Sequence, residues 1–449
     1  MAEEITMKVE IIKRETVKPS TPTPSHLKTY KLSFVDQLSP AVYGRIIYFY
    51  TGLQNDVAAP YSGGSDEQRS EQLKKSLSET LARFYPVAGT VTDDNLTIEC
   101  NDQGAQYVEA RFSGLLSASL EQPASPEILQ QFLPAKVESP EAGTWPLLLV
   151  QATFFDCGGL ALGICTSHKL IDAPTMGILM KSWAQTSNGR SSDQPVVEPA
   201  FNAAFYFPPR DLSCLKMPPV EMNKVECETK RFVFDKPKIM DLKAKVSGEP
   251  SRVQAVTALI WKCAMAASRT HSRVPVNKFY LSQAIDIRKR AEPPLPENLI
   301  GNVVGIVLVQ ITNNGHDAEL QDLVAVLRKG MREYTENNAK RLGGDEASEV
   351  VFESLKEGGE LMGRDDTEGL IFTSLCNARL YETIDFGWGK PIWVTVPVAT
   401  GGSNFVTLMD TKCGGVEAWV TLTKEDMATF ETNPELLEFA YPSTKNHAI

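Results

Sequence analysis

The chain has 449 residues, of which 42% are hydrophobic and 22% are charged, a balance typical of soluble globular proteins. This length exceeds one ordinary hydrophobic core and favours two domains of about 200 residues each. The net charge of −11 argues against a nucleic-acid partner, although it leaves room for a local basic pocket that binds a phosphorylated cofactor.

The first half of the chain predicts two helices and four strands. One helix covers residues 66–84, because charged side chains occupy one face and large apolar side chains recur on the other. Those apolar residues are Leu73, Leu77, Leu81 and Phe84. The strands are predicted at residues 96–99, 107–112, 147–155 and 160–166, and the second helix at residues 174–185.

The stretch from residue 186 to residue 222 is rich in proline and has no hydrophobic periodicity. Such a segment is typical of a crossover between domains. We therefore predict an N-terminal domain over residues 1–190, a crossover loop over residues 191–222 and a C-terminal domain over residues 223–449.

The second half predicts further strands and helices. The strands are predicted at residues 229–234, 279–287, 303–312, 391–399 and 416–422. The helices are predicted at residues 251–268 with Ser251 as N-cap, at residues 318–338, and after a capping box at residues 423–426. Because these elements are mixed and do not repeat as strict βαβ units, we predict α/β or α+β layers in two halves, with the site in the cleft between them.

One short motif carries a candidate for catalysis. His168 ends a predicted apolar strand, and Asp172 follows four positions later, just before a predicted helix. A histidine at such a junction can present its imidazole to a cleft, which suits a general base. The motif alone is weak, and a structural histidine bonded to a nearby carbonyl group is an equally good interpretation of it. A hydrolase that uses Ser167 with His168 is disfavoured, because adjacent side chains on an extended strand point to opposite faces.

The eight cysteines form no C-x-x-C pair and no cluster with the spacing of a zinc site, so we expect no metal and a reducing compartment. Cys165 is close enough to His168 in the sequence to be a candidate nucleophile, but on an alternating strand it is expected to pack inside. The N-terminal residues MAEEITMK lack the layout of a secretory signal, and no stretch approaches the roughly 18 apolar residues of a membrane span. We therefore expect a cytoplasmic protein with no membrane partner.

Four blocks of sequence agree with one family in order and spacing, and together with the early Pro-Thr-Pro at residues 22–24 and Asp36-Gln37 they cover nearly the whole chain. They are LARFYPVAG at residues 81–89, HKLID at residues 168–172, DIR with PPLP and GN between residues 286 and 302, and DFGWGKP at residues 385–391. In these blocks the chain resembles the BAHD acyltransferases, which are plant enzymes that use acyl-CoA.

The resemblance implies that His168 takes the proton from an acceptor hydroxyl or amine, which then attacks the acyl thioester. No acyl-enzyme and no permanently bound cofactor are needed, and acyl-CoA is a co-substrate. Asp172 is implied to be structural, pointing away from the substrate and pairing with Arg288. The rival role, in which Asp172 orients His168 as in a hydrolase triad, stays open. Asp385 and its block are implied to be structural and remote from the chemistry.

The predicted CoA site includes several separate segments of the chain. The helix N-terminus at Ser251 and Arg252 is a reasonable phosphate-binding element, because free N–H groups and the helix dipole both favour anions. The resemblance makes this segment part of the CoA site, with Asn302 and residues 400–405 as further lining. For each of these segments, ordinary helix capping or loop structure is the alternative interpretation.

The resemblance is strongest to the branch that acetylates alkaloid and terpenoid alcohols. Ala173 stands where the family commonly has glycine, and Leu299–Val303 replaces the signature of pigment-modifying members.

We predict an α/β, two-domain fold like that of chloramphenicol acetyltransferase, with mixed sheets, flanking helices and a channel between the domains. The segment around residues 385–410 is expected to dock on the first domain. The protein is expected to be a monomer that transfers acetyl from acetyl-CoA to a small-molecule alcohol. A hydroxycinnamoyl- or benzoyl-CoA donor, or a non-catalytic member of the fold, are the alternatives.

Overall fold

The computed structural model describes residues 8–52, 65–121, 125–189, 197–212, 226–271, 276–312, 318–397 and 404–442. The strands in these ranges are β1 (Val9–Val17), β2 (Thr29–Lys31), β3 (Tyr43–Tyr50), β4 (Thr90–Val91), β5 (Thr97–Glu99), β6 (Ala105–Phe112), β7 (Leu148–Phe155), β8 (Leu160–Ser167), β9 (Cys227–Phe234), β10 (Lys278–Asp286), β11 (Val304–Thr312), β12 (Thr367–Ser374), β13 (Trp393–Thr395), β14 (Phe405–Asp410), β15 (Val416–Thr423) and β16 (Tyr441–Pro442).

The helices in the same ranges are α1 (Phe34–Leu38), α2 (Asp66–Arg83), α3 (Leu116–Glu121), α4 (Pro126–Gln130), α5 (Ala173–Asn188), α6 (Ala203–Tyr206), α7 (Lys236–Ala244), α8 (Arg252–His271), α9 (Leu320–Leu342), α10 (Ala347–Met362), α11 (Leu380–Thr383), α12 (Lys424–Phe430) and α13 (Pro434–Phe439). The predicted long helices α2, α5, α8 and α9 are confirmed within a few residues at each end. Strand β3 and helix α10 are absent from the sequence-based prediction.

The first large sheet has the strand order β1-β6-β7-β8-β3-β13. Strand β8 lies near its centre, between β7 and β3, and every residue of β8 is buried. Leu160, Leu162 and Ile164 face a core that includes α2 and α5, whereas Ala161 and Cys165 face an aromatic core on the other side. Burial on both faces explains why β8 is apolar throughout instead of alternating. It also fixes the position of β8 and therefore of the residue that follows it, His168.

The second large sheet has the order β11-β10-β12-β14-β15-β9-β16, and parallel pairs join β10 to β12 and β12 to β14. Helices α8 and α9 contribute to the core of this sheet. A small third sheet contains β2, β5 and β4. The mixed sheets with flanking helices confirm the predicted α/β class.

Strand β13 connects the two large sheets. It pairs with β3 of the first sheet, where the rings of Trp393 and Phe49 stack with centroids 5.0 Å apart. The next strand, β14, lies in the second sheet. Within the predicted strand 391–399, only Trp393–Thr395 forms a strand, and residues 398 and 399 lie outside the described residues. The predicted domain boundaries stay a prediction.

A buried ion pair reinforces this connection. Arg231 of β9 and Glu417 of β15 approach within 2.7 Å. The Glu417 carboxylate also accepts hydrogen bonds from the indoles of Trp393 and Trp419 at 3.1 and 2.7 Å, and from the Thr395 hydroxyl at 2.8 Å. The charge of Glu417 is therefore compensated by donors from both large sheets, as a buried carboxylate requires.

Candidate active site

His168 lies directly after β8, and its backbone is fixed from two sides. Its N–H donates to the Val42 carbonyl group at 2.9 Å, and its carbonyl oxygen accepts from Asn302 Nδ2 at 2.8 Å. Val42 precedes β3, whereas Asn302 precedes β11 of the second sheet. The His168 side chain is partly buried, and its Nδ1 atom is enclosed. Both halves of the chain therefore position this histidine.

The neighbours of His168 point into the protein. The buried Ser167 hydroxyl donates to the Ala142 carbonyl group. Lys169 is also buried, and its Nζ donates to the carbonyl groups of Gln37 and Ser39 at 3.0 and 2.8 Å. Burial lowers the pKa of Lys169 to about 8, although Asp36 opposes this effect. A catalytic pair of Ser167 with His168 is incompatible with this arrangement.

Asp172 is the N-cap of α5 and is engaged on all sides. Its Oδ1 accepts from the Thr175 N–H at 2.8 Å, and its Oδ2 accepts from the Val303 N–H at 3.0 Å. Arg288 adds a bidentate ion pair, with Nη1 to Oδ2 at 2.9 Å and Nη2 to Oδ1 at 3.2 Å. The sequence-predicted partners Asp172 and Arg288 are thus in contact and are 2% and 1% exposed.

The Arg288 guanidinium also holds the segment that carries Asn302. It donates to the Leu299 carbonyl group at 2.9 Å and to the Gly301 carbonyl group at 3.0 Å. Gly301 has φ +128°, a conformation that L side chains rarely adopt, and an added Cβ would lie 3.3 Å from Asp36 Oδ2. The glycine therefore lets this segment turn close against Asp36 and sets the position of the next residue, Asn302.

Asp36 and Asn302 form a buried pair beside His168. Asp36 Oδ1 accepts from the Asn302 backbone N–H at 2.7 Å and from Asn302 Nδ2 at 2.8 Å. Asp36 Oδ2 accepts from the Ser33 backbone and hydroxyl groups at 2.9 and 2.7 Å, which closes a capping box on α1. Asp36 is absent from the site residues predicted from the sequence. Its sequence signals are the Asp36-Gln37 pair of the family resemblance and the Ser-x-x-Asp capping pattern, which indicates a helix start but no link to a histidine.

Burial governs the titration of the site. It lowers the pKa of His168 below the usual value of 6.5, against smaller opposing effects of the ring's own backbone carbonyl, Asp172 and the Asn302 side chain. Burial also raises the pKa of Asp36 to about 6, although hydrogen bonds from Asn302 and Ser33 oppose the increase. His168 is therefore neutral at physiological pH, as a general base must be.

The predicted CoA residues occupy two places. Ser251 caps α8, since its hydroxyl accepts from the Gln254 N–H at 3.1 Å. Arg252 forms an ion pair with Asp410 at 2.6 Å and donates to Asn377 Oδ1 at 3.0 Å. It borders a cavity of about 140 Å³. The cavity is lined by Arg252, Leu375, Leu380, Tyr381, Glu382, Met409, Asp410, Thr411, Lys412 and Gly414. Asn302 lies elsewhere, beside His168, and of residues 400–405 only 404 and 405 are described.

Asp385 closes a turn far from His168. Its Oδ1 accepts from the backbone N–H groups of Gly387 and Gly389 at 2.8 and 3.1 Å. The turn contacts the C-terminal end of α5, where the Ser187 hydroxyl donates to the Phe386 carbonyl group at 3.0 Å. Since α5 has 16 residues, it separates this turn from Asp172 by about 24 Å. Asp385 therefore lies at the opposite end of α5 from Asp172, and its structural role stays a prediction.

Two further properties bear on the class of site. Within the described ranges, no group of three or more His, Cys, Asp or Glu side chains is arranged to hold a metal ion, and metal independence stays a prediction. None of the described helices combines the length and the apolar character that a membrane crossing requires.

Comparison with known proteins identifies the family. The model of the Transferase family matches residues 7–437. Limonoid 7-O-acetyltransferase of Citrus sinensis is 35% identical over 458 residues, covering 97% of this chain and 98% of that protein. Salutaridinol 7-O-acetyltransferase of Papaver somniferum is 35% identical over 486 residues, covering 96% and 98%.

A solved structure gives the same result. The crystal structure of vinorine synthase is 34% identical and superposes with a TM-score of 0.83, covering 97% of this chain and all of that chain. The predicted α/β fold, like that of chloramphenicol acetyltransferase, is thereby confirmed. The predicted resemblance to the BAHD enzymes is confirmed as well, and the chain belongs to the Transferase family of acyltransferases.

Proposed function

We propose that this enzyme transfers the acetyl group of acetyl-CoA to a hydroxyl group of a terpenoid or alkaloid alcohol, with His168 as the general base. The observation that carries the base assignment is the partly exposed, neutral imidazole at the end of β8, whose backbone is fixed by Val42 and Asn302. The acetyl donor and the acceptor class are supported by relatives whose names specify O-acetylation of a limonoid and of salutaridinol.

The reaction needs one proton carrier. The lone pair of His168 takes the proton of the acceptor hydroxyl while its oxygen attacks the thioester carbonyl carbon. The tetrahedral oxyanion then collapses, the carbon–sulfur bond breaks, and the CoA thiolate takes the proton from the imidazolium. Acetyl ester and CoA thiol are the products, and the histidine returns to its neutral form. Positioning both substrates at one imidazole supplies the proximity that the reaction requires.

Asp172 supports the site structurally in this account, and its engagement with Arg288, Thr175 and Val303 supports that role. No oxygen of Asp172 is left over to orient the imidazole. Asp385 acts as the anchor of a turn at the opposite end of α5, which is consistent with a structural role.

The phosphates of CoA are proposed to bind at the start of α8. Arg252 and Lys412 bring positive charge to the rim of the 140 Å³ cavity, and Leu375, Leu380 and Met409 give it an apolar wall. Such a combination suits a ligand with a phosphorylated end and an uncharged arm. The contact of Arg252 with Asp410 reduces its free charge, so CoA has to share or displace that carboxylate.

The protein is further proposed to act as a monomer in the cytoplasm. The seven cysteines in the described ranges are all free thiols, which supports a reducing compartment. Light scattering on the purified protein tests the monomer, since a dimer would double the 49.5 kDa mass.

The proposed reaction is tested by release of CoA thiol. Purified protein is incubated with acetyl-, benzoyl- and hydroxycinnamoyl-CoA and a panel of terpenoid and alkaloid alcohols, and products are identified by mass spectrometry. We expect release that depends on both acetyl-CoA and an alcohol, with a product heavier by one acetyl group. Release with aromatic donors alone would replace the proposed donor, and CoA binding without release for any acceptor would favour a non-catalytic member of the fold.

His168→Ala is expected to lower kcat by 10²–10⁴-fold, the usual contribution of a general base, because no other described side chain replaces the imidazole. Thiol release measures kcat, and circular dichroism checks the fold. His271→Ala is the matched control, because this exposed histidine forms a hydrogen bond with the Thr429 hydroxyl on another helix, and its activity should stay within twofold. Activity of His168→Ala near that of the control would contradict the base assignment.

The pH dependence of kcat/KM provides a second test of His168 as the general base. Because burial lowers the pKa of His168, the neutral base persists to lower pH than a free histidine, and the acid limb of log kcat/KM should be centred below pH 6.5. Asp172, Lys169 and Asp36 are the charged neighbours, and Asp36 has a pKa of about 6. Asp36→Asn removes that second titration, so an acid limb that survives in this variant belongs to His168. A limb centred above pH 6.5 would disagree with a buried neutral base.

Arg252→Ala is expected to raise KM for acetyl-CoA about tenfold without changing kcat, the effect of losing one charge-assisted contact. The same variant should discriminate less than wild type between acetyl-CoA and its 3′-dephospho form. Asp410→Asn is the control, because it breaks the ion pair but keeps Arg252, and KM should not rise. Equal effects on both donors would show that Arg252 does not contact the 3′-phosphate.

A further inference from the structure

Lys169 carries a buried charge that the proposed reaction does not use. The residue is 5% exposed, and its Nζ donates at 3.0 Å to the Gln37 carbonyl oxygen and at 2.8 Å to the Ser39 carbonyl oxygen. Burial lowers the pKa of the ammonium group to about 8, although Asp36 opposes this effect. Both hydrogen-bond acceptors are neutral backbone groups. A charge is costly to bury, and a buried charge beside a reacting residue is a candidate for a functional role.

The two acceptors lie at the C-terminal end of helix α1. Gln37 is in the last turn of α1, and Ser39 begins the connection between α1 and β3, residues 39–42. Carbonyl groups at the end of a helix lack a partner within the helix and need a donor from elsewhere. The Gln37 carbonyl oxygen also accepts from Asn95 Nδ2 at 3.0 Å. Lys169 therefore caps α1 from a loop that is 130 positions away from Ser39 in the sequence.

The α1–β3 connection also contacts the proposed base. Its last residue is Val42, whose carbonyl oxygen accepts from the His168 N–H at 2.9 Å. Since Lys169 directly follows His168, the loop after β8 is attached to this connection at two points, one through a backbone group and one through a side chain. Residues 40 and 41 between these points are exposed, so burial contributes little to holding the connection in place. The hydrogen bonds of Lys169 therefore help to set the position of Val42.

Helix α1 is held from the second half of the chain as well. Asp36 Oδ1 accepts from the Asn302 backbone N–H at 2.7 Å, and Asn302 Nδ2 donates to the His168 carbonyl oxygen at 2.8 Å. The N–H of His168 thus contacts the connection that follows α1, and its carbonyl group contacts the residue that binds α1. Because both contacts depend on the same short helix, a shift of α1 would move the backbone of the base.

We propose that Lys169 is a positioning residue for the acyl transfer. Its ammonium group anchors the end of α1 and the α1–β3 connection to the loop after β8, so that Val42 holds the His168 backbone where the imidazole can take a proton from the acceptor. Lys169 makes no contact with substrate in this role, because its Nζ is bound to two backbone oxygens inside the protein. The proposal rests on the proposed function of His168 as the base.

The kinetic test is Lys169→Met, which removes the ammonium group but keeps an unbranched side chain of similar length. We expect kcat to fall about 30-fold, because a displacement of the base by about 1 Å can cost about 100-fold. KM for acetyl-CoA should stay within threefold, because Arg252 and the rest of the proposed phosphate site are unchanged. The matched control is Lys262→Met. This lysine of α8 is also partly buried and loses a contact with Glu435 at 2.9 Å, and its kcat should stay within twofold.

The structural readout is hydrogen exchange at the His168 backbone N–H. Protein labelled with 15N at histidine is transferred to heavy water and followed by NMR, and the His168 signal is assigned by its loss in His168→Ala. We expect this amide to exchange at least tenfold faster in Lys169→Met than in the wild-type protein, because its acceptor Val42 is no longer held. In Lys262→Met the exchange rate should equal that of the wild type.

A third measurement uses the wild-type protein and needs no variant to fold. Native protein is treated briefly with acetic anhydride, and acetylated lysines are identified by mass spectrometry of peptides. Lys169 should react at least tenfold more slowly than Lys356, whose side chain is 66% exposed. Reaction of Lys169 at the rate of Lys356 would overturn the proposal, because the ammonium group would then not be bound inside the protein.

The outcomes separate this proposal from the proposed function. Unchanged kcat in folded Lys169→Met would overturn the positioning role, even if His168→Ala is inactive. A fall in kcat without faster exchange at the His168 amide would overturn it as well, because the backbone of the base would not have moved. Full activity of His168→Ala would instead refute the base, while the exchange rate in Lys169→Met would still report whether Lys169 holds the backbone at residue 168.

Discussion

The ion pair between Asp172 and Arg288 is the constraint on which the site depends. It is buried and bidentate, and the two residues are 116 positions apart in the sequence. A buried carboxylate and guanidinium lose much hydration, so each is tolerated only while the other compensates it. Removal of one partner typically costs about 3–5 kcal/mol of unfolding free energy, because the remaining charge is left in a medium of low polarity. The pair therefore fastens α5 to the segment at residues 299–303.

This arrangement separates structural support from chemistry. Asp172 holds the loop after β8 through the start of α5, and Arg288 holds the segment with Gly301 and Asn302. Both segments meet at His168, which receives the Val42 contact from the first sheet and the Asn302 contact from the second. The side chains of Ser33, Asp36 and Asn302 are linked by hydrogen bonds to one another inside the protein. The imidazole is left as the member of this group that can face a substrate.

The sequence predicts much of this fold because the relevant signals are local. Helix α2 follows from its apolar stripe, and α5 follows from Pro174 after an aspartate N-cap. Strand β3 was missed because seven of its eight residues are buried, so its pattern does not alternate. Helix α10 contains Gly358 and Gly359, which weaken the helical signal, although α9 and the second sheet cover its apolar face.

The sequence predicts only those site residues that a local motif or the family resemblance identifies. His168 and Asp172 belong to one short motif, and Arg288 came from the resemblance. The contact between Asp36 and Asn302 joins residues 266 positions apart, and no local pattern in either segment predicts it. The contact of Asn302 Nδ2 with the His168 carbonyl group likewise joins residues that are 134 positions apart. Tertiary packing, which a single sequence does not reveal, decides both features.

We propose that Asp172 acts through Arg288 and not on the imidazole. The most direct measurement is kcat of folded Asp172→Asn at low temperature, together with its free energy of unfolding in urea. Asparagine keeps the size of the side chain and an oxygen for the Thr175 N–H, but it removes the charge opposite Arg288. We expect a loss of about 3 kcal/mol in unfolding free energy, with kcat within tenfold of wild type. Unchanged stability with a 10³-fold loss of kcat, within the range for a general base, would contradict it.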